Sequence, residues 1–234
     1  PGPPGADASG VDFNVGPADH DVFGLCHAPL ASVARASTAL IAGKPANIGF
    51  EEACTLPVTW STTRAILERA GMHAGCCFIL HAAAGGVGLK AVEYAQWLAM
   101  PSLGTAGRSS KHLQLRSAGL GTLCSSRDAT AFTAGATRLL NAVRSHAALN
   151  SLSLDFISAS FALLAEGGSF EEIGKRGIWA SQRHTVSAPT TAYCAIALDA
   201  DMAQDPMWIH RALEVLAEHA GAHTVTSLPL RSFD

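Results

Sequence analysis

Apolar runs alternate with stretches of helical periodicity along most of this chain. The unbroken apolar run at residues 76–80 is typical of a strand buried on both faces, and a helical pattern follows it to about Leu98. Later strand-like runs, each separated from the next by a helical pattern, lie at residues 122–124, 147–152, 169–175 and 193–198. This alternation predicts an α/β fold with a Rossmann-type, doubly wound parallel sheet.

The pattern is weaker before that sheet. Up to about Asp21 the chain is rich in Pro, Gly and Asp, and its two short apolar segments predict only edge strands or loop. A helical pattern then covers residues 50–67, and Pro57 is expected to break or kink it. The opening cannot form a core alone.

Gly and Pro residues indicate where helices start and end in the second half of the chain. Gly167 and Gly168 are expected to end a helix, and residues 179–189 are expected to form a polar connection. Asp205 and Pro206 are typical of a helix start. One face of that helix is expected to carry Ile209, Leu213, Leu216 and Ala220.

Composition limits the classes of function. The 234 residues are enough for one or two domains with a full core. A net charge of -3 offers no basic surface for nucleic acid, and no apolar stretch is long enough to span a membrane. Only 15% of the residues are charged, which predicts that another domain or a second copy in a homodimer covers some apolar surface.

The cysteine pattern indicates a reducing cellular compartment. Six are scattered without a C-x-x-C pair, which predicts free thiols in a reducing environment. No signal-peptide pattern is visible, so we expect a cytoplasmic protein. Cys26 and His27 have no second ligand pair at zinc-finger spacing, so we expect no metal site.

A turn of small residues follows the first strong strand. Ala83 takes the first position of the dinucleotide-binding G-x-G-x-x-G pattern, and Gly85 and Gly88 keep the second and third. Such a turn exposes helix N–H groups to a phosphate, although taken alone it is equally typical of an ordinary strand-to-helix connection. The candidate cofactor-binding residues here are Ala84, Gly85, Gly86, Val87 and Gly88.

The residues about twenty positions after the glycine turn indicate which cofactor binds. Residues 104–111 contain no acid that would bind a free ribose hydroxyl, whereas Arg108 and Lys111 supply positive charge for a 2'-phosphate. The two cations therefore favour NADPH as the cofactor. Solvated charges at a helix start remain the alternative interpretation.

Several motifs in this order resemble the enoyl reductase domain of modular polyketide synthases and animal-type fatty acid synthases, in the medium-chain dehydrogenase/reductase superfamily. The matching stretches are E-E-A-C-T-L-P-V at 51–58, L-H-A-A-A-G-G-V-G at 80–88, T-A-G at 105–107, S-S-R-D at 125–128, L-N-S-L at 149–152, E-I-G-K at 172–175 and S-L-P-L at 227–230.

The resemblance implies NADPH-dependent reduction of an enoyl thioester carried on an acyl carrier protein, next to other synthase domains. It implies Lys175 and Asp199 as candidate proton donors, and Asn150 and Thr62 as residues near the cofactor. An exposed lysine after a strand and a loop acid before a helix are the alternatives for the first two. Asn150 and Thr62 are equally suited to satisfying local backbone groups.

The resemblance also divides the chain. Residues 1–50 are expected to be part of a GroES-like substrate domain, residues 51–200 an NADPH-binding domain, and residues 201–234 a C-terminal helix and return segment. Compared with the family, the chain is expected to be incomplete at both ends. A non-catalytic structural remnant of a synthase and a free-standing quinone reductase are the alternative functions.

Overall fold

Two sheets organise the chain, one with three antiparallel strands and one with six parallel strands. The computed structural model describes residues 6–13, 20–27, 32–141, 143–152, 155–175 and 177–230. It divides into two compact units, of which one combines Pro1–Arg64 with Ala197–Asp234 and the other is Ala65–Ile196. The predicted three-part division of the chain stays a prediction.

The small sheet belongs to the first unit. Its strands are β1 (Asp7–Asp12), β2 (His20–Leu25) and β3 (Ile41–Gly43), in the order β1-β2-β3. β1, the strand within the opening, lies at an edge of this sheet as predicted, whereas β2, which lies almost wholly after Asp21, pairs on both sides. Phe23 and Leu25 give β2 a buried face, which the Pro- and Gly-rich composition around it had obscured.

Two helices follow, α1 (Phe50–Ala53) and α2 (Pro57–Arg69). Pro57 separates them, as predicted, because proline lacks an N–H and fits the first position of a helix better than its interior. The next N–H, that of Val58, donates to Asp7 Oδ1 at 2.7 Å. A carboxylate from β1 therefore caps α2.

The large sheet forms the second unit and confirms the predicted doubly wound architecture. Its strands are β4 (Phe78–Leu80), β5 (Ser102–Ala106), β6 (Leu123–Ser125), β7 (Ser145–Asn150), β8 (Leu164–Glu172) and β9 (Ala192–Ala195). They are parallel and lie in the order β6-β5-β4-β7-β8-β9, so the strand order reverses beside β4. Ligands of open α/β sheets bind at such a reversal.

Helices connect these strands. They are α3 (Gly86–Trp97), α4 (Ser109–Ser117), α5 (Ala129–Leu139), α6 (Asp155–Phe161) and α7 (Ser181–Ser187). The core against the sheet contains fully buried side chains from strands and helices, among them Ile79, Leu103, Phe132, Ile157 and Phe170. The apolar run at residues 76–80 thus contains an inner strand of the sheet, β4, whereas the runs at 122–124 and 193–198 correspond to its edge strands, β6 and β9.

Two sequence expectations fail in the second unit. Gly167 and Gly168 do not end a helix but lie inside β8, where the pairing with β7 shifts. Gly167 has φ +74° and its N–H donates to Thr190 O at 2.7 Å, so the glycine turns the strand locally. The predicted polar connection at residues 179–189 contains α7.

The first unit is completed by α8 (Leu198–Gln204) and α9 (Pro206–Gly221). Asp205 caps α9 by accepting from the Trp208 N–H at 3.0 Å, as its sequence predicted. The predicted apolar face is buried at Ile209, Leu213, Leu216 and Ala220.

Two further observations concern the described residues as a whole. All six cysteines are free. Among the helices that the structure describes, none is long and apolar enough to cross a membrane.

Candidate dinucleotide-binding site

A turn of small residues joins the end of β4 to the start of α3. Ala82 has φ +49°, in the left-handed region, and its carbonyl accepts from the Gly85 N–H at 2.8 Å. Gly85 then forms the N-cap of α3 and brings no capping side chain. The N-cap therefore contributes no side chain to this end of the helix, which is the kind of end that the sequence predicts for phosphate binding; that binding stays a prediction.

Gly85 and Gly88 have different surroundings, so glycine is needed at each for a different reason. A Cβ on Gly88 would lie 2.6 Å from Ala83 O and 2.7 Å from Ala82 O, so helix and turn pack too closely there for any side chain. Among the described residues, a Cβ on Gly85 would meet one atom within 4 Å, Ala82 O at 3.3 Å, and Gly85 is exposed. Space next to Gly85 is thus available to a ligand, whereas space next to Gly88 is filled by the protein.

A buried polar chain supports the turn from behind. The Ala82 N–H donates to Thr105 Oγ1 at 3.2 Å, and Thr105 Oγ1 lies 3.2 Å from His81 Nδ1. On its other side, His81 Nε2 lies 2.6 Å from Ser160 Oγ. Burial lowers the pKa of the His81 imidazole from its ordinary value of 6.5 to about 3. His81 is therefore a neutral residue that connects β4, β5 and α6.

A group of cations lies where β5 and β6 end. Arg108 is the N-cap of α4 and Lys111 lies in its first turn, and both side chains are exposed. Within the described part of the chain, neither side chain has a carboxylate partner. Arg127, which follows β6, donates from Nε to Gly107 O at 2.9 Å and so lies against the end of β5.

Sequence reasoning missed Arg127 as a candidate for this group. Twenty residues separate Arg127 from Gly107, and no local pattern joins them. The available signal was the strand order, because the carboxyl ends of adjacent parallel strands meet at the same edge of a sheet.

The residues at this edge fit a phosphorylated dinucleotide. The uncapped start of α3 suits a pyrophosphate, and the cations Arg108, Lys111 and Arg127 suit a 2'-phosphate. The two features belong to β4 and β5, which are neighbours in the sheet. We find no group of His, Cys, Asp and Glu able to hold a metal ion in the described ranges.

A second group of predicted residues lies where β7 and β8 end. Asn150 is fully buried, and its Nδ2 donates to Leu152 O at 2.6 Å and to Glu172 Oε2 at 2.7 Å. The exposed Lys175 follows β8 by a few residues. Both residues are therefore at the edge of the sheet that carries the glycine turn, and the Asn150 amide already has protein partners.

The remaining two predicted residues belong to the other unit. Thr62 lies inside α2, and Asp199 lies exposed in the first turn of α8, not in a loop before a helix. The roles assigned to Thr62, Asn150, Lys175 and Asp199 stay predictions.

Comparisons with known proteins identify similar chains. No family model matches. The chain is 38% identical over 183 residues to the spectinabilin polyketide synthase system protein NorB of Streptomyces orinoci, an alignment that covers 74% of this chain and 8% of NorB. For erythronolide synthase EryA2 of Saccharopolyspora erythraea the identity is 36%, over 73% of this chain and 5% of that protein. The chain thus spans less than a tenth of the length of these synthases.

A solved structure covers nearly the whole chain. The CurK enoyl reductase is 30% identical and superposes with a TM-score of 0.90 over 98% of this chain and 71% of that one. A mycobacterial protein, Rv1454c complexed with NADPH, has a TM-score of 0.83, 20% identity, and coverage of 95% and 72%. At that identity the second structure supports the fold alone.

Proposed function

Because this chain belongs to the enoyl reductase domains of polyketide synthases, within the medium-chain dehydrogenase/reductase superfamily, we propose that it reduces an enoyl thioester with NADPH. The observation that carries the proposal is the pairing of β4 and β5, which aligns the uncapped glycine turn with the cations after β5 and β6. The CurK domain, an enoyl reductase, shares this fold over almost the whole chain. The reduction of a polyketide intermediate is therefore the activity we assign.

The residues proposed to hold NADPH are divided between its phosphates. Gly85 and the first turn of α3 bind the pyrophosphate, and Arg108, Lys111 and Arg127 bind the 2'-phosphate. When bound, NADPH supplies the hydride for the β-carbon of the substrate.

The proposed role of Lys175 is to stabilise charge and transfer a proton. Reduction places negative charge on the thioester oxygen and requires a proton at the α-carbon. An ammonium group beyond the end of β8 suits both needs, because strand ends of an open α/β sheet line the ligand crevice. Asp199 is the second candidate donor and rests on the family resemblance alone.

The proposed substrate is an enoyl group on an acyl carrier protein, and the proposed partners are neighbouring synthase domains. The relatives NorB and EryA2 support this assignment because they are far longer than the aligned stretch. The low share of charged residues predicts that some apolar surface is covered. We propose a second copy of this chain, in a homodimer, as one way to cover it.

The proposal is tested by following NADPH absorbance with this chain and crotonyl-pantetheine. We expect this chain alone to turn over slowly or not at all, and turnover to rise when it is extended at both ends with the segments expected from the family; in that extended protein, Lys175→Ala should lower kcat about tenfold or more. Arg138→Ala, which changes an exposed cation on α5, is the control and retains kcat. NADPH binding without turnover by the extended protein would favour the structural-remnant alternative, and turnover of quinones only would favour a quinone reductase.

A further inference from the structure

Glu172 accepts hydrogen bonds from two different strand ends. Its Oε2 accepts from Asn150 Nδ2 at 2.7 Å, across to β7, and its Oε1 accepts from the Gly174 N–H at 2.6 Å, beyond its own strand. Only 1% of Glu172 is exposed and none of Asn150. Both carboxylate oxygens are thus engaged inside the protein, at the edge of the sheet where Lys175 follows.

The surrounding backbone strengthens this connection. The Ile173 N–H donates to Asn150 O at 2.9 Å, and the Ile196 N–H donates to Glu172 O at 2.8 Å, so the ends of β7, β8 and β9 are joined at one level. A Cβ on Gly174 would lie 2.6 Å from Glu172 Oε1. A side chain at residue 174 would therefore force the Glu172 carboxylate to shift.

We propose that Glu172 is a positioning residue, which holds Asn150 and Gly174 together and thereby sets the direction in which the chain leaves β8 towards Lys175. Its catalytic consequence rests on the proposed function, because Lys175 is there the group that faces the substrate. Removing the link would displace Lys175 without removing any group that touches the substrate.

The geometry requires an acceptor at both oxygens of residue 172. A carboxylate accepts at both, whereas a glutamine must direct its amide hydrogens at either Asn150 Nδ2 or the Gly174 N–H, which are themselves donors. Burial raises the pKa of Glu172, and the hydrogen bonds from Asn150 and Gly174 lower it. Glu172→Gln keeps the side-chain volume but removes one of the two hydrogen-bond acceptors, so it tests the link between Asn150 and Gly174 directly.

The neighbouring Glu171 offers a matched control. It is the same residue type on the same strand and is fully buried, but its side chain points to the opposite face of β8 and accepts from Ser169 Oγ. Glu171→Gln therefore changes a buried carboxylate without touching the link between Asn150 and Gly174.

The first measurement needs no activity. In ¹H–¹⁵N spectra of the chain, we expect Glu172→Gln to shift the amide resonances of Gly174 and Lys175, and Glu171→Gln to leave both in place. Gly174→Ala perturbs the same contact from the partner side, in a half-buried connection, and should shift the side-chain ¹³Cε resonance of Lys175, which does not respond merely to a change of the preceding residue. This second variant keeps the test open if Glu172→Gln fails to fold. Unmoved Lys175 resonances in the folded variants would overturn the proposal.

The second measurement is steady-state reduction of crotonyl-pantetheine. Misplacing a reacting group by about 1 Å costs up to about a hundredfold in rate, so we expect kcat to fall about tenfold or more in Glu172→Gln and Gly174→Ala, with KM changed less than about threefold. Glu171→Gln should keep kcat. Equal losses in both glutamate variants would show a role in stability only and overturn the proposal. If the extended protein also reduces no thioester while the Lys175 resonances respond, the positioning role stands and the proposed function is wrong.

Discussion

His81 Nε2 and Ser160 Oγ lie 2.6 Å apart, and this contact determines which imidazole nitrogen carries the proton. Ser160 uses its own hydrogen to donate to Phe156 O at 2.6 Å, so its oxygen accepts from His81 Nε2–H. Nδ1 then lacks a hydrogen and accepts from the Thr105 hydroxyl, whose oxygen accepts from the Ala82 N–H. In this series of hydrogen bonds, each donor has an acceptor for only one placement of the hydrogens. The series connects the glycine turn to α6.

Thr105→Val should weaken cofactor binding by disturbing that turn. Valine has nearly the shape of threonine but leaves the Ala82 N–H and His81 Nδ1 unpaired, at a cost of about 1–3 kcal/mol. Part of this cost should appear as an NADPH dissociation constant raised about tenfold. Cofactor fluorescence titration measures it, with Thr105→Ser, which keeps the hydroxyl, as the control expected to bind normally.

The ¹⁵N shifts of His81 test the same network directly. They should show a neutral Nε2–H imidazole from pH 5 to pH 8, since its pKa is lowered to about 3. Observation of the Nδ1–H form, or equal NADPH affinity in the valine and serine variants, would contradict the proposed hydrogen-bond order.

The cations at the end of β5 should make the chain prefer NADPH to NADH. A charge-assisted hydrogen bond to the 2'-phosphate is worth about 1.5–3 kcal/mol, so Lys111→Ala or Arg127→Ala should reduce NADPH affinity about tenfold to a hundredfold and leave NADH affinity unchanged. Titration with both cofactors measures the discrimination. Arg116→Ala, an exposed cation in the last turn of α4, is the control. Discrimination that survives loss of both Lys111 and Arg127 would exclude this site for the phosphate.

Valine at the two retained glycines should separate binding from stability. Gly85 has φ -85° and ψ 171°, which any residue can adopt, so Gly85→Val should fold while its side chain occupies the pyrophosphate space. Gly88→Val forces a side chain against Ala83 O and should cost about 3 kcal/mol, roughly 10 °C in Tm. Thermal melts and cofactor titrations on both variants make the comparison. Normal NADPH binding by Gly85→Val would show that the turn serves the fold only.

Asp7 should make the protein less stable as the pH rises. Burial raises the pKa of Asp7 from 3.8 to about 6, against the hydrogen bond from the Val58 N–H. Its stabilising contribution is complete below pH 3.8 and is lost as the pH rises through 6, because the folded state keeps a proton that the unfolded chain releases. The shift of about 2 units corresponds to at most about 3 kcal/mol.

Asp7→Asn isolates this effect because its side-chain oxygen still accepts from Val58. Denaturant unfolding at pH 4.5 and pH 7.5 should show that the unmodified chain loses more unfolding free energy over this range than the variant. Parallel losses in the two proteins would mean that Asp7 is solvated in the folded state.

Local pattern was sufficient for much of the architecture. The apolar run before the glycine turn, the start of α2 at Pro57 and the cap of α9 at Asp205 depend on neighbouring residues, and the sequence predicted each. It failed at Gly167, where a glycine typical of a helix end turns the inside of β8. Glycine permits both conformations, and only pairing with β7 selects between them.

The candidate site divides in the same way. The sequence by itself determined the glycine turn, Arg108 and Lys111, because these features follow one another at fixed spacing after one strand. Only the tertiary structure decided that Arg127 joins Gly107 and that Glu172 joins Asn150, across 20 and 22 residues of chain. Such contacts depend on the order β6-β5-β4-β7-β8, which brings together strand ends that are distant along the chain. Hydrophobic periodicity reports whether each strand is buried, but the neighbours of a buried strand are selected by the packing of the whole sheet.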